Sequence, residues 1–377
     1  MAYTYKIYHS AKELPSLWDS VVGKQNILLS RGYFEVLEDS KPDNMDCYFA
    51  AFFADENLVG GALFQYLSFT QHQTFQKDEM FCNVKNFLAK KFSRDVMFVG
   101  NNMLTGQNAF YFNNEKISTH DASALLGEAV QLMQKKYRKS SLIIYKDFRT
   151  KFIGLFTGEN FKPYFRFSVQ PNMMLKIKDS WQSFDNYLND FSTKYRSRAN
   201  TARKKSKDIE KRELDLNDIQ KWSGKINILY QNVADNAPFN TFFLPENHFF
   251  RLKESMKDNF RIFGYFLHGE MIGFYTLILN NSDVDTYFLG YDKDLQKEKQ
   301  IYLNMLLDMV KFGIEEKFSR IIFGRTALEI KSTIGAEPYE IFGLIKHNNF
   351  LINPFMSRIF PSISPKTEWV QRKPFKD

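Results

Sequence analysis

The chain has 377 residues, of which 44% are hydrophobic and 25% charged; this is typical of a soluble globular protein, and the length suits two domains. A net charge of +8 and an isoelectric point near 9.1 indicate a polyanionic ligand or an anionic surface, such as nucleotide phosphates, tRNA or lipid head groups. Two cysteines, Cys47 and Cys82, exclude a disulfide framework, and with six histidines the composition favours no metal site.

The sequence shows no signal for export or for membrane insertion. The N-terminal residues lack the basic-then-apolar arrangement of a signal peptide, and no apolar run reaches the ~18 residues that would span a bilayer. We therefore expect a cytoplasmic protein. Aromatic residues make up 16% of the chain, and this excess leaves open a peripheral contact with the inner face of the membrane.

The first half of the sequence alternates between strand and helix patterns. Alternating or short apolar runs predict strands, and apolar residues at helical spacing predict helices. The predicted elements are a strand over residues 3–8, a helix over 11–22, a hairpin of strands 47–53 and 58–67, a strand over 96–100, a helix over 121–137 and a strand over 140–145.

A Lys-Pro pair at residues 162–163 marks a predicted boundary between domains of residues 1–162 and 163–377. The second half shows the same kinds of pattern. Its predicted elements are a strand over 169–177, helices over 181–191, 194–212 and 216–232, a hairpin of strands 260–267 and 271–279, a strand over 285–290, an amphipathic helix over 301–318 and a strand over 320–324.

The densest cluster of positive charge lies in residues 194–212, which contain neither Pro nor Gly and predict one helix. One narrow face of this helix carries residues at steps of four and three, namely Tyr195, Ala199, Ala202, Ser206 and Ile209. The remaining surface is rich in Arg and Lys, whose charged groups bind anions such as phosphate. The alternative is a solvated basic face without a ligand.

The two predicted hairpins resemble one another. Residues 49–61 and 263–274 each contain an apolar strand, a polar turn, an aliphatic pair and then a glycine, which is Gly60 in the first and Gly273 in the second. Any two hairpins share part of this pattern. Both, however, are followed by a strand, a helix and a strand in the same order, which indicates an internal duplication.

The second hairpin and the elements after it resemble the acyltransferase core of the GNAT superfamily: an apolar strand, a Gly-Glu turn at residues 269–270, Ile272-Gly273-Phe274, a tyrosine-bearing strand and a helix. The duplicated form is similar to the FemABX-like branch and to related predicted N-acyltransferases, which carry two such domains in one chain. The resemblance implies an α/β fold with α+β mixed sheets, in two tandem GNAT-like domains. Residues 1–162 would form a degenerate domain, and residues 163–377 an acyltransferase domain with the basic helix near its start.

Three local matches extend the resemblance through the second half. Lys194-Tyr195-Arg196 looks like the Lys-x-Arg helix that opens the family's second domain. Residues 285–291, Asp-Thr-Tyr-Phe-Leu-Gly-Tyr, look like its central strand. Residues 324–336 look like its late segment, in which a lysine, here Lys331, precedes a glycine by a few residues.

Three residues are candidates for catalysis, of which the family match implies Lys331. Lys331 would lie at a turn beside the cleft and place a positive charge on the oxyanion or on a substrate phosphate; the alternative is a surface lysine. Tyr287 would donate a proton to the leaving group, with a structural core tyrosine as the alternative. Asp285 alternates with Tyr287 and so shares a sheet face with it, where it would accept a proton from the amine.

The candidate substrate-binding set consists of Lys194, Arg196, Arg198, Arg203, Arg325 and Tyr291. The first two would bind a phosphate-bearing substrate and the next two would assist, although side chains so close on a helix cannot all face one ligand. Arg325 follows a strand and suits a carboxylate or phosphate clamp, with a structural ion pair as the alternative. Tyr291 is a second candidate donor to the leaving group.

Residues 292–300 contain no Gly at the place where acetyl-CoA enzymes of this superfamily have a Gly-rich loop for the pyrophosphate. This departure argues against acetyl-CoA as the donor. The resemblance leaves an aminoacyl-tRNA or an acyl thioester as a co-substrate, with no tightly bound cofactor. Its implied partners are a phosphate-bearing small molecule or a lipid-linked substrate. Binding of tRNA remains an open alternative, and no DNA binding is expected.

Two functions remain. The first is an N-acyltransferase that acts on an amine of a cell-envelope or lipid precursor, in peptidoglycan or lipid biosynthesis. We expect direct attack, because no Ser-His-Asp or Cys-His signature indicates a covalent intermediate. The second is a non-catalytic protein on a GNAT-like scaffold that binds RNA or phospholipid.

Overall fold

The structure is a computed structural model. It describes residues 2–69, 94–149, 156, 158–168, 170–237, 240–363 and 368–376, without the side chains of residues 361–363. Cys82 lies outside the described residues.

The strands are β1 Tyr3–Tyr8, β2 Met45–Ala54, β3 Asn57–Ser68, β4 Asp95–Val99, β5 Phe110–Phe112, β6 Leu142–Phe148, β7 Phe165–Ser168, β8 Asn172–Lys176, β9 Glu210–Glu213, β10 Phe260–Leu267, β11 Glu270–Asn280, β12 Asp283–Tyr291, β13 Arg320–Gly324, β14 Glu337–Tyr339 and β15 Phe342–His347. Each strand predicted from the sequence is present, with small shifts at some ends. The short strands β5, β7, β9 and β14, together with β15, were not predicted.

The α-helices are α1 Arg31–Ser40, α2 Thr119–Leu132, α3 Phe184–Asp190, α4 Thr193–Lys205, α5 Leu216–Lys221, α6 Ser223–Ala234, α7 His248–Met256, α8 Lys293–Lys299, α9 Ile301–Glu315, α10 Leu328–Ser332 and α11 Met356–Ile363. The predicted helix over 11–22 is wrong, because Pro15 separates a 3-10 turn at Ala11–Glu13 from a π turn at Asp19–Gly23. The predicted helix over 216–232 is divided in two at Trp222.

The chain divides into two compact units. The first comprises Met1–Gln170, Pro238–His248 and Glu340–Lys366, and the second comprises Pro171–Ala237, Phe249–Tyr339 and Thr367–Asp377. Each unit contains one mixed sheet and its own hydrophobic core.

The sheet of the first unit has the order β1-β2-β3-β4-β6-β15-β7, and β5 pairs with β3. Strands β4 and β6 are parallel, and the other neighbours are antiparallel. The apolar side of α2, with Leu125, Leu126 and Ala129, shares one core with Phe52 and Phe64 of the sheet. This burial explains why the helical spacing of apolar residues in α2 was readable from the sequence.

The sheet of the second unit has the order β14-β8-β13-β12-β11-β10-β9, with β12 and β13 parallel and the other neighbours antiparallel. Leu303 and Leu306 of α9 are buried in its core. Helix α6 approaches β12 at Gly290, where a Cβ would lie 2.4 Å from the backbone carbon of Leu229. Gly290 is therefore required for this close contact between helix and strand.

The two sheets repeat one arrangement: four antiparallel strands, then a parallel neighbour, then two antiparallel strands. The hairpins that suggested a duplication occupy equivalent places, as β2–β3 and β10–β11. In each hairpin the register shifts just before the glycine, which leaves Val59 before Gly60 and Ile272 before Gly273 as the extra residue. The internal duplication is thus present in the fold down to a shared β-bulge.

The structure divides the chain differently from the predicted domains 1–162 and 163–377. Strand β7 and the much later β15 belong to the sheet of the first unit, where β15 lies between β6 and β7. Strand β8 lies between β13 and β14 in the second sheet. Composition could not predict this, because each sheet takes an inner strand from a distant part of the sequence.

The basic helix is shorter than the predicted range 194–212, since α4 ends at Lys205. Ala199 and Ala202 of the predicted narrow face are buried. They lie against α9, where Asn304 Nδ2 donates a 2.9 Å hydrogen bond to the backbone O of Ala202. Residues 210–213 form β9, which pairs with β10. The last part of the basic segment is therefore a strand and not a continuation of the helix.

Candidate active site

The candidate site lies in the second unit, where the parallel strands β12 and β13 separate. The paired residues run from Asp283 with Arg320 to Asp285 with Ile322. Strand β12 then continues to Tyr291, but no described residue of β13 pairs with it beyond Asp285. A gap between two strands of one sheet can accept an extended ligand, because backbone groups at the strand edges can pair with it.

Lys331 lies on α10, and its side chain reaches the end of this pairing. Its Nζ donates a 2.5 Å hydrogen bond to the backbone O of Phe323, the residue after Ile322. Lys331 is only 4% exposed, and burial lowers its pKa to about 7 because the ammonium loses hydration. The alternative of a surface lysine is therefore excluded, and charged and neutral forms coexist near neutral pH.

A tight connection between β13 and α10 positions Lys331. Gly324 has φ +80° and Ala327 has φ +51°, both in the left-handed region. Helix α10 then begins at Leu328, which is buried in the core of the unit. Arg325 lies in this connection and is half-buried, so the structure brings it to the same strand end as Lys331.

The C-terminal segment 368–376 contacts α10. Arg372 forms an ion pair with Glu329, and its backbone N donates a 2.9 Å hydrogen bond to Ser332 Oγ. Phe375 lies against Gly335, where a Cβ would come within 2.3 Å of the aromatic ring and where φ is +90°. This segment therefore holds α10 in place, and the sequence offered no signal for that role.

Asp285 is buried at the last paired position of β12. Burial and the neighbouring Asp283 carboxylate raise its pKa to about 7, while Asn280 and Arg320 act in the opposite direction. Asp283 itself accepts two 2.7 Å hydrogen bonds from the guanidinium of Arg320. A carboxyl group with this pKa exchanges protons readily near neutral pH, as a general base requires.

Tyr287 and Tyr291 follow on β12, and both are half-buried. The register of β12 with β11 shifts after Thr286, so that Tyr287 and Phe288 lie opposite one residue of β11. This β-bulge means that alternation from Asp285 no longer gives the direction of the Tyr287 side chain. Burial raises the pKa of Tyr291, which lies at the end of the strand.

The start of α4 lies beside α10. Arg198 is exposed and lowers the pKa of the Glu329 carboxyl on α10, as a smaller effect than that of Arg372. Arg196 is half-buried, and its guanidinium donates to the backbone O of Phe191 at 3.4 Å. The structure therefore places the predicted phosphate-binding end of α4 next to the helix that carries Lys331.

The other predicted residues of α4 are not brought to this place equally. Lys194 is exposed, with its Nζ 5.7 Å from the centre of the Tyr195 ring. Arg203 is exposed and lies over the ring of Phe184 at 5.1 Å. Arg203 lies seven positions after Arg196, a rise of ~10 Å along the helix, and its guanidinium is directed to the Phe184 ring.

Asn172 is a buried polar residue that the sequence did not single out. Its Nδ2 donates a 2.5 Å hydrogen bond to the Tyr339 hydroxyl, whereas its Oδ1 has no donor among the described residues. The register pairs Met173 with Gly324, so Asn172 precedes and Arg325 follows the last pair of these two antiparallel strands. The one available signal was a polar residue in an otherwise apolar run.

The connection after β12 differs from a phosphate-binding loop in its chemistry. The Oδ1 of Asp292 accepts hydrogen bonds from the backbone N of Asp294 at 2.9 Å and of Leu295 at 3.1 Å. The amides at the start of α8 are therefore occupied by a side-chain carboxylate. A negative charge in this position competes with an incoming pyrophosphate.

Comparison with known proteins gives structural matches only. No family model and no curated protein matches the chain. FemX has a TM-score of 0.55 at 12% identity, covering 95% of this chain and 100% of its own. A conserved protein of unknown function from Bacteroides thetaiotaomicron has a TM-score of 0.51 at 10% identity, over 88% and 96%. A tandem GNAT protein from the clavulanic acid biosynthesis pathway has a TM-score of 0.50 at 9% identity, over 92% and 98%.

The chain has a two-domain GNAT fold, with two mixed sheets of the same strand order. Its match to the full length of FemX places it with the FemABX-like form of this fold, which confirms the fold implied by the sequence. At these identities the similarity concerns the fold alone. Within the described part of the chain, no helix is long and apolar enough to cross a membrane.

Proposed function

We propose that the protein is an N-acyltransferase that transfers an activated acyl or aminoacyl group to an amine of a cell-envelope or lipid precursor. The observation that carries this proposal is the buried amine of Lys331, which has a pKa of about 7 at the separation of β12 and β13. Burying a lysine with one hydrogen bond is costly for a purely structural role. Strongly shifted pKa values concentrate at functional sites.

The reaction proceeds by direct attack of the amine on the donor carbonyl. The amine nitrogen forms the new C–N bond, and the C–O bond of an ester or the C–S bond of a thioester breaks. Protonated Lys331 donates to the oxyanion of the tetrahedral intermediate, a contribution of roughly 3 kcal/mol for one aligned donor. Ionised Asp285 accepts the proton that the amine loses, and Tyr287 supplies one to the leaving oxygen or sulfur.

The acceptor is held through a phosphate in this proposal. Lys194 and Arg196, with Arg198, bind it at the start of α4, since this end of the helix lies beside α10. Arg325 is the second anion-binding group, at the end of β13. The guanidinium of Arg203 lies over the ring of Phe184, so we assign this residue only long-range attraction.

The donor acts as a co-substrate, either an aminoacyl-tRNA or an acyl thioester. The carboxylate of Asp292 at the start of α8 supports the argument against acetyl-CoA. We place the reaction in the cytoplasm, at the inner face of the membrane, where lipid-linked precursors are accessible. Tyr291, at the end of β12, is the second candidate donor to the leaving group.

The test starts from the acceptor. Mass spectrometry of lipids and small molecules that accumulate in a host without the protein identifies candidate amines, which are then offered to the purified protein with labelled aminoacyl-tRNA or acyl thioester. We expect an amide product, and a loss of ~10²-fold or more for Lys331→Ala. Lys311→Ala, at an exposed lysine of α9, is the matched control.

The results distinguish the role of Lys331 from the acyltransferase activity itself. Turnover by Lys331→Ala at the wild-type rate removes this residue from the mechanism. If no amine accumulates and neither class of donor reacts, the protein is not an acyltransferase.

A second function is favoured by one observation, the exposed cations along the rest of α4, which include Arg203, Lys204 and Lys205. A non-catalytic protein would use this surface to bind RNA or phospholipid. It would bind the polyanion equally well after Lys331→Ala, and it would show no transfer. Acyl transfer that depends on Lys331 rules this alternative out.

A further inference from the structure

The first unit carries an exposed apolar loop between β15 and α11. Three large apolar side chains point to solvent: Phe350 is 80% exposed, Leu351 64% and Phe355 55%. We call these three residues the apolar loop. Single exposed apolar residues are ordinary on a protein surface, whereas three large ones close together in the chain indicate an interaction surface.

The backbone of this loop is held by asparagine side chains. The Oδ1 of Asn349 accepts a 2.9 Å hydrogen bond from the backbone N of Leu351. The Oδ1 of Asn353 accepts from the backbone N of His347 at 2.8 Å, and its Nδ2 donates to the O of Pro163 at 2.9 Å. An ordered turn therefore presents the apolar side chains to water, which is unfavourable unless a partner covers them.

A basic cavity lies beside the apolar loop. It has a volume of about 340 Å³, and its lining includes Lys135, Lys139, Lys346 and Asn348. Asn348 lies two residues before Phe350 of the apolar loop, and its Nδ2 donates a 2.8 Å hydrogen bond to the backbone O of Ser140. Within the described ranges, no carboxylate lies within ion-pair distance of these three lysines. The cavity is therefore open to an anion.

Two tyrosines, Tyr145 and Tyr164, line one wall of the basic cavity. Tyr145 is fully buried, and its hydroxyl interacts with the phenol of Tyr164. The nearby phenol of Tyr164 acts with burial to raise the pKa of Tyr145. The Nζ of Lys346 lies 5.6 Å from the centre of the Tyr164 ring. The three lysine cations around the basic cavity suit a phosphate group.

We propose that the apolar loop and the basic cavity together bind the surface of an anionic phospholipid membrane. The loop inserts its side chains at the boundary between head groups and acyl chains, and the cavity takes a head-group phosphate. This surface belongs to the first unit, and its binding requires no catalysis. Membrane binding can therefore be confirmed or refuted whether or not the protein catalyses acyl transfer.

Charge complementarity favours a lipid surface over other occupants. A soluble phosphate compound would fill the basic cavity and leave the apolar loop exposed. A second copy of this chain would cover the loop, but it brings the same excess of positive charge to the lysines. An anionic bilayer supplies phosphates in front of an apolar layer, which is the arrangement that basic amphipathic surfaces bind.

The test is co-sedimentation of the whole chain with vesicles of phosphatidylglycerol and phosphatidylcholine, compared with vesicles of phosphatidylcholine alone. We expect salt-sensitive binding to the anionic vesicles that is at least about tenfold tighter than binding to the neutral ones. The double variant Phe350→Ser/Leu351→Ser should bind the anionic vesicles at least about tenfold more weakly than the wild type does. The double variant Lys135→Gln/Lys139→Gln should lose about fivefold per lysine.

Leu17→Ser is the matched control, because Leu17 is 61% exposed in the same unit but lies outside the apolar loop. It should bind as the wild type does. Equal binding to both kinds of vesicle, or wild-type binding by either double variant, would overturn the proposal.

Two further outcomes would identify another occupant and refute the lipid proposal. Calorimetric binding of inorganic phosphate without vesicle binding would assign the basic cavity to a soluble phosphate compound. A dimer in sedimentation velocity that is lost in Phe350→Ser/Leu351→Ser, again without vesicle binding, would make the apolar loop a contact between two copies.

Discussion

Lys331 combines a buried position with a single hydrogen bond, and this combination predicts how the residue affects stability. Burial removes hydration from the ammonium, and the bond to the Phe323 carbonyl restores only part of it. The folded protein therefore favours the neutral amine, with a pKa of about 7 instead of the usual 10.5. The unfavourable contribution is complete below pH 7 and disappears as the pH rises to 10.5.

We predict that Lys331→Met stabilises the protein at neutral pH, because Met has a similar length and no charge. The gain in the free energy of unfolding should be on the order of a few kcal/mol at and below pH 7, and it should shrink toward zero near pH 10.5. Urea unfolding across this range measures it. Lys311→Met, at an exposed lysine, should show no such gain; a destabilised Lys331→Met at pH 7 would contradict the prediction.

The pKa values of Asp285 and Lys331, both about 7, predict a bell-shaped pH dependence of kcat/KM. Activity rises as Asp285 ionises to act as a base, and it falls as Lys331 loses the proton that it donates to the oxyanion. Asp285→Asn should remove the acid limb and lower the maximum by ~10²-fold or more. Lys331→Arg should remove the alkaline limb, because Arg stays charged.

Initial rates measured across neutral pH test the predicted pH dependence of kcat/KM. A profile that is flat within about one unit on either side of pH 7 is incompatible with both roles.

In helix α4, some features are determined by residues close together in the sequence and others by distant contacts. The buried face with Ala199 and Ala202 was predicted from spacing alone, because a period of 3.6 residues is a property of the helix itself. The end of the helix at Lys205 was not predicted. It depends on the pairing of β9 with β10, whose residues are about fifty positions apart in the chain.

We predict that Arg196→Ala weakens binding of a phosphate-bearing acceptor by ~1–3 kcal/mol, the usual loss for one charge-assisted contact. The dependence of Kd on salt should also become shallower. Titration calorimetry at two salt concentrations measures both effects, and Lys205→Ala at the far end of α4 is the control. The same affinity and the same salt dependence in Arg196→Ala would show that this end of the helix is only a solvated face.

At the scale of the whole molecule, each sheet is completed by a strand from a distant part of the chain. Strand β15 lies between β6 and β7, and β8 lies between β13 and β14. The chain passes from the first unit to the second between β7 and β8, and it returns to the first unit for residues 238–248 and again for residues 340–366. Contact order is therefore high, and neither half of the sequence contains a complete sheet.

We predict that a fragment of residues 1–170 does not fold cooperatively, because it lacks β15 and leaves β6 and β7 without their shared neighbour. Joining residues 340–366 to this fragment through a flexible linker should restore much of the transition. Urea unfolding followed by circular dichroism compares both fragments with the whole chain. A cooperative transition of residues 1–170 alone would show that β15 is dispensable.

The sequence by itself determined the features that depend on neighbouring residues. The limits of β10 and β13 were predicted, as were the two hairpins and the buried face of α4, because alternation, turn chemistry and helical spacing are local. The resemblance of residues 324–336 to a family segment pointed to Lys331. The duplication was also visible, because equivalent hairpins need the same pattern to make the same turn.

Only the tertiary structure decided where distant residues meet. It placed β15 in the first sheet, and it showed that the Oδ1 of the buried Asn172 has no hydrogen-bond donor among the described residues. The burial of Lys331, and with it the pKa of about 7, requires β13, α10 and the C-terminal segment to pack together. Burial and strand order arise from contacts between residues far apart in sequence, and no local pattern specifies those contacts.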